Sequence, residues 1–386
     1  MVTPTRHIHS YRLICAALIS LTTTCGLSMA IETDKNKLNE LRGLIETKKY
    51  DQALSTANEL VAEYPNDAKL YVERARSYNF LRQFQKSIDD CNHALKLEPR
   101  NAKAYTTRSA CYGNLGQYEK SLADSHQAIQ LDPADAKTYI CSGNANFCIG
   151  RYKESVADCT KSIELNPKSA PAFMIRAQAY GKLGQFQKQV EDGDQAIKLD
   201  PTEARAFGVR AAGYCELDQF EKAVADCTKS IELNPKIAVS YTTRGIAQAR
   251  LKKYSKAIDD FDKSIKIDPN YALAYCSRGF AFGQLGRHRE QIEDVSKAIL
   301  LKPKLAPAYV ARGCAYGQLA EYQKEIDDCN LAIQRDPKLA VAYANRAFAY
   351  GKLGKDDLAE KDRALAHKLG LKIVQYKNDP PFVHLP

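Results

Sequence analysis

A chain of 386 residues in which 45% are hydrophobic has ample material for a core, which excludes a disordered polymer. Its formal net charge of +10 is mild for this length, and acids are interleaved with the bases throughout, so composition lends no weight to a nucleic-acid-binding class.

The first segment differs from the rest. Arg6 and Arg12 precede an apolar stretch from Leu13 to Leu21, then small and polar residues lead to Leu27-Ser28-Met29-Ala30, with no acid before Glu32. This is the layout of a secretory signal peptide, with cleavage expected after Ala30. The apolar stretch is shorter than the roughly 20 residues a membrane span needs. The competing readings are an uncleaved anchor and lipid attachment at Cys25; Thr24, in place of a smaller residue, speaks against the second. The expectation is an exported chain, periplasmic or secreted, with 1–30 removed and no integral membrane span remaining.

From there the chain is periodic. Prolines stand at Pro65, Pro99, Pro133, Pro167, Pro201, Pro235, Pro269, Pro303 and Pro337, each 34 residues after the last. Six residues beyond each proline is an aromatic (Tyr71, Tyr105, Tyr139, Phe173, Phe207, Tyr241, Tyr275, Tyr309, Tyr343), and four further a small residue, from Ala75 to Ala347. Within residues 68–101, Tyr71, Ala75 and Tyr78 fall at helical spacing, then Ile88, Cys91, Ala94 and Leu95 do so again. Each unit therefore reads as two antiparallel helices. A turn such as Leu115-Gly116-Gln117 ends the first, because Gly accepts a left-handed backbone. Proline ends the second, because it cannot continue the hydrogen-bond ladder. One unit cannot bury its own apolar face, so units must stack.

The organisation expected is a degenerate N-terminal unit over 31–67, eight full units over 68–339, a C-terminal unit with a charged capping helix over 340–373, and an irregular tail over 374–386. This pattern resembles the tetratricopeptide repeat family, although Tyr or Phe replaces that family's usual Trp and the chain contains none. The resemblance implies an all-α, right-handed superhelical solenoid of about ten stacked repeats. It also implies a protein–protein interaction scaffold, not an enzyme, that binds a peptide or protein in a groove lined by the first helix of each repeat.

By position, that groove carries the residues seven, eleven, fourteen and fifteen after each proline. The best candidates are Asn144, Phe147, Gln178, Ile246, Phe280, Gln284, Gln318 and Phe348: amides to bond a peptide backbone, apolar groups to anchor side chains. Phe147 and Phe280 are expected to face solvent. A chaperone-tail adaptor is disfavoured, because no three consecutive units carry its Lys/Asn, Asn, Lys/Arg set. A carbohydrate- or cell-wall-binding solenoid is the alternative reading, and an RNA-binding repeat the weaker one, for want of charge in the groove.

Two further ladders run through the repeats. Arginine recurs three residues after the first aromatic, from Arg74 to Arg346, broken only by Ser142, and an aspartate recurs sixteen residues beyond, from Asp90 to Asp362. Matched opposite charges at one spacing read as structural Arg–Asp pairs rather than a basic stripe. No catalytic or metal motif occurs: there is no His-Glu-x-x-His, phosphate-binding Gly-rich loop or Gly-x-Ser-x-Gly, and the five histidines after Ala30 are scattered. Neither catalysis, cofactor, metal nor small-molecule substrate is therefore expected. Cys91, Cys159, Cys227 and Cys329 share one repeat position, where Phe261 and Val295 also occur, and read as small core residues. Free thiols sit awkwardly with an oxidising compartment and are the best internal argument against export.

Export makes a direct prediction. Sequencing the N-terminus of the protein purified from its native host should begin at Ile31; a cytosolic chain still starting at Met1 would refute the leader.

Overall fold

The computed structural model describes residues 36–371; the leader, Cys25 and the tail over 374–386 lie outside them. The described residues are helical, with no strand among them. They fall into two compact units, Met1–Ala179 and Tyr180–Pro386.

In the first unit the helices are α1 (36–46), α2 (Tyr50–Glu63), α3 (Ala68–Phe80), α4 (Phe84–Leu97), α5 (Ala102–Asn114), α6 (Tyr118–Leu131), α7 (Ala136–Cys148) and α8 (Tyr152–Leu165). The boundary between units passes through α9 (Ala170–Lys182). The second unit continues with α10 (Phe186–Leu199), α11 (Ala204–Glu216), α12 (Phe220–Leu233), α13 (Ala238–Arg250), α14 (Tyr254–Ile267) and α15 (Ala272–Gln284). It ends with α16 (His288–Leu301), α17 (Ala306–Gln318), α18 (Tyr322–Arg335), α19 (Ala340–Lys352) and α20 (Asp356–Lys368). The degenerate first repeat forms both its helices: Leu41 and Ile45 of α1 are buried in one cluster with Ala53, Ala57 and Leu60 of α2.

Packing order separates two layers. In the first unit α3 touches α5 and α5 touches α7; in the second α11, α13, α15, α17 and α19 form a continuous chain of contacts. Even-numbered helices pack on their odd neighbours and, within each unit, not on one another. The odd helices are thus the inner layer.

The turn chemistry follows the sequence. Gln117 N–H donates to Tyr112 C=O and Gly116 N–H to Gly113 C=O, a Schellman closure that puts Gly116 at φ 73°. Where Gly is missing the backbone keeps that conformation at strained residues, Arg82, Asp218, Lys252 and Ala320. The second turn is tied by the first aromatic: Tyr71, Tyr139, Tyr309 and Tyr343 each donate a hydroxyl hydrogen bond to the carbonyl of the proline six residues earlier. Tyrosine thus gives the unit a fastener to the proline carbonyl.

The charged ladder is a set of forked ion pairs. Arg74–Asp90 and Arg108–Asp124 in the first unit, and Arg210–Asp226, Arg244–Asp260, Arg278–Asp294, Arg312–Asp328 and Arg346–Asp362 in the second, each place Nε on one carboxylate oxygen and a terminal nitrogen on the other, at 2.6–2.8 Å. The remaining nitrogen reaches back to the preceding even helix: Arg108 to Asn92, Arg244 to Thr228, Arg346 to Asn330. The hydrogen bond to Asp260 is the main reason the Arg244 guanidinium is held above its ordinary basicity. Each arginine joins two successive even helices that do not otherwise touch.

Candidate functional site

The inner face of the odd helices sorts by helix register. Residues seven after the proline are only partly available: Val72 and Met174 in the first unit, and Thr242, Cys276 and Val310 in the second, are buried, while Thr106, Ile140, Gly208 and Ala344 are half-buried. Residues eleven after it are half-buried throughout, and residues fifteen after it are exposed throughout. The usable surface is therefore narrower than the sequence register implies, a half-buried row beside an exposed row.

In the first unit this face holds Asn144 and Phe147 on α7 and Gln178 on α9, all half-buried. Asn144 reaches toward Gly113 of α5, where a Cβ would meet its Nδ2 at 3.8 Å. Phe147 does not simply face solvent as expected; it tilts against Tyr152 at 5.7 Å between ring centroids, because the turn brings the start of α8 under it. Phe80 on α3 was not singled out from sequence, yet it is 48% exposed and stacks on Tyr50 at 4.6 Å and 8°.

In the second unit it holds Ile246 on α13, Phe280 and Gln284 on α15, Gln318 on α17 and Phe348 on α19. Ile246 packs against the cluster around Phe261, and Phe280 is half-buried instead of facing solvent. Gln284 and Gln318 are exposed; Gln284 Oε1 accepts from the Tyr254 hydroxyl at 3.3 Å. Phe348 meets Tyr322 edge-on at 6.4 Å, with the Lys352 ammonium over its ring at 5.2 Å. Arg250, exposed and lying 4.9 Å over the Phe220 ring, belongs to the same row and was passed over among the candidates.

The glycines of this face are seats for side chains from the next helix. A Cβ on Gly181 would come within 2.5 Å of Gln189 Oε1, and one on Gly283 within 2.5 Å of Gln291 Oε1. Those two glutamines cross to the following odd helix, where Gln189 donates to Val209 C=O at 2.8 Å and Gln291 to Ala311 C=O at 3.2 Å. Gly317 seats Glu325 in the same way. Glu325 is wholly buried and neither carboxyl oxygen has a hydrogen-bond partner; burial pushes its acid up to about 8. Unlike the amides of its two counterparts, the acid reaches no carbonyl on the following odd helix. Among the described residues no His, Cys, Asp and Glu group could hold a metal ion. The cysteines Cys91, Cys159, Cys227 and Cys329 are buried as small core residues. No described helix is long and apolar enough to cross a membrane.

Residues 68–101, 170–203, 272–305 and 306–339 match a tetratricopeptide repeat model; residues 91–123 match a second model of that description, and residues 250–286 a TPR repeat model. No curated protein matches the chain. Among solved structures, the APC/C hetero-tetramer Cut9-Hcn1 is similar at 16% identity with a TM-score of 0.63, over 78% of this chain and 59% of that one. This chain thus spans less than two thirds of that relative. A tetratricopeptide repeat protein from Parabacteroides merdae aligns at 18% identity and TM-score 0.48, over 65% of this chain and 99% of its own.

Glu325 predicts how stability varies with pH. Its folded value, about 8, lies above the ordinary carboxylate value of about 4.3 that it takes when unfolded. Between those values the folded chain holds a proton that the unfolded chain releases, so its contribution to stability is full at low pH and is lost as pH rises through about 8. The loss should approach about 1.4 kcal/mol per pH unit inside that window. Denaturant titrations across it should show the Glu325→Gln variant more stable than the parent by a margin that grows with pH. A constant margin would mean that Glu325 is not buried as a neutral acid.

Proposed function

Starting from a chain built of tetratricopeptide repeats, we propose that it is a non-enzymatic scaffold that holds a peptide or protein segment along the inner faces of its odd helices. The observation that carries this reading is the pairing of rows. Side chains eleven residues after each proline are half-buried and those fifteen after it are exposed, on helices that pack directly against one another. Within one unit, a ligand lying across them meets a fresh pair of side chains at each repeat.

The chemistry of the rows suits a polypeptide. In the first unit Asn144 and Gln178 of the half-buried row offer amides that can both donate to and accept from a peptide backbone, and Phe147, beside the exposed row, offers an apolar ring already braced by Tyr152. In the second unit Gln284 and Gln318 supply amides in the exposed row, with Ile246, Phe280 and Phe348 beside them in the half-buried row. The half-buried rings, already held on packed helices, lose little freedom on binding, which favours affinity. In the second unit Gln189, Gln291 and Glu325 fill the space over Gly181, Gly283 and Gly317.

Peptides selected for binding to the full chain from a random display library provide the test. Phe147→Ala and Phe280→Ala, made separately so that each unit is probed by itself, should each weaken a peptide held on that unit by about 1–3 kcal/mol. Because both rings are half-buried, each variant should also melt somewhat earlier while keeping its helical circular dichroism. Unchanged affinity in both variants, with the fold retained, would remove the inner face as the binding surface.

A further inference from the structure

The arginine ladder breaks at one place. Ser142 on α7 stands where the other eight full-length rungs carry arginine, and Asn146 stands where Tyr78, Tyr112, Tyr180, Tyr214, Tyr316 and Tyr350 carry an aromatic one turn on. Its partner Asp158 is retained on α8. The rung has lost its cation and one ring of its aromatic cradle, and kept its anion.

The consequences are visible in the carboxylate. In intact rungs arginine Nε takes Oδ2 and a terminal nitrogen takes Oδ1, as at Arg108–Asp124. At the broken rung Ser142 Oγ donates to Asp158 Oδ2 at 2.6 Å and Asn146 Nδ2 to the same oxygen at 2.8 Å. These two short side chains replace the inner half of the fork and leave Oδ1 without the donor it has elsewhere. Asp90, Asp124, Asp226, Asp260, Asp294, Asp328 and Asp362 are 3–7% exposed beneath their arginines, whereas Asp158 is half-buried. Loss of the guanidinium has uncovered it. Partial burial without a counter-charge disfavours the carboxylate and raises its pKa, only partly offset by the two hydrogen bonds and by His126.

The rest of the guanidinium's surroundings remain. Tyr139 occupies the position of Tyr105, whose ring lies 5.4 Å from the Arg108 guanidinium. His126 on α6 stands sixteen residues before Ser142, the place from which Asn92 and Asn330 accept the third contact of their arginines. His126 is exposed, so the approach to the site is open from that side. A carboxylate oxygen and an aromatic ring therefore stand at the positions where seven other rungs hold an arginine head group, with an imidazole where those rungs place an Asn, Asp, Thr or Ser acceptor.

We propose that Asp158, Tyr139 and His126 form a receptor for the arginine side chain of a protein partner, which completes the broken rung from outside. The incoming guanidinium donates to Asp158 Oδ1, lies against Tyr139 and can donate to an imidazole nitrogen of His126. Lysine fits less well, because a compact ammonium cannot use the ring face and two acceptors together as a planar fork does. At about 100° per residue, Ser142 and Asn144 point about 200° apart on α7. The receptor is thus separate from the inner face and does not depend on the inner face binding a peptide.

The test uses the full chain and otherwise uncharged short peptides with a central arginine, lysine or citrulline, titrated at low salt by calorimetry. The arginine peptide should bind, the lysine peptide more weakly, and the citrulline peptide at least about tenfold more weakly than arginine, since it keeps the shape and loses the charge. Ser142→Arg supplies the missing rung from within, as eight other positions do. It should raise the melting temperature and lower arginine-peptide affinity at least about tenfold. Asp158→Asn should lower affinity similarly without relying on the Ser142 variant. Equal binding of the arginine and citrulline peptides would overturn the proposal, as would full affinity in either variant, which would place the peptide on another surface such as the inner face.

Discussion

The distance at which the two helices of a repeat can meet is the constraint on which the other features depend. One pair of residues, ten and twenty-six after the proline, bears on it, and at the two repeats with the largest second residue the pair trades volume. Ala75 faces Cys91 and Ala211 faces Cys227, whereas Gly245 faces Phe261 and Gly279 faces Val295. A Cβ on Gly245 would stand 2.6 Å from the Phe261 ring, and one on Gly279 2.8 Å from Val295 Cγ2. At Gly143 the obstacle is Cys159 Sγ, also at 2.6 Å. Close-packed interiors do not absorb even one extra carbon at such a point without moving backbone. The same trade recurs one turn on, where Gly181 and Gly283 make room for Gln189 and Gln291.

With that spacing fixed, the charged and aromatic features fall into place. An arginine nine residues after the proline is brought opposite an aspartate on the paired helix closely enough for a fork at 2.6–2.8 Å, and its third nitrogen spans to the preceding even helix. Each partly desolvated pair sets register more than it adds stability, since desolvation offsets much of the attraction. Within each unit the packed odd helices then present two rows, one half-buried and one exposed. Repetition holds these side chains in equivalent places, so a departure from the repeat, such as Ser142 or Glu325, stands out against its counterparts.

Much of this was legible in the sequence because the period is unbroken. The phased prolines place the ends of the even helices, and α20 runs over Asp356–Lys368 as its charge pattern indicates. The Arg–Asp spacing likewise reads as pairing. The face of the odd helices was legible in register and not in depth. Val72 and Val310 share the nominal groove stripe, but contact with the next odd helix, at Ala104 and Ala342, helps bury them. Phe147 was read as solvent-facing because helix register says nothing of Tyr152, which the turn folds beneath it. The glycines at 181, 283 and 317 read as small groove positions, because their role depends on a side chain from another helix. Pairing them with the Gln or Glu eight residues later was a signal present in the sequence.

The volume trade is tested most directly by a double-mutant cycle on Gly245 and Phe261, followed by denaturant unfolding. Gly245→Ala alone should destabilise by forcing a methyl group into the Phe261 ring, and Phe261→Cys alone by opening a cavity. Together they recreate the Ala–Cys pair found at Ala75–Cys91 and Ala211–Cys227. The double variant should therefore be more stable than the sum of the single effects by about 1–3 kcal/mol. Additive losses, within about 0.5 kcal/mol, would contradict the claim that the two positions share one volume.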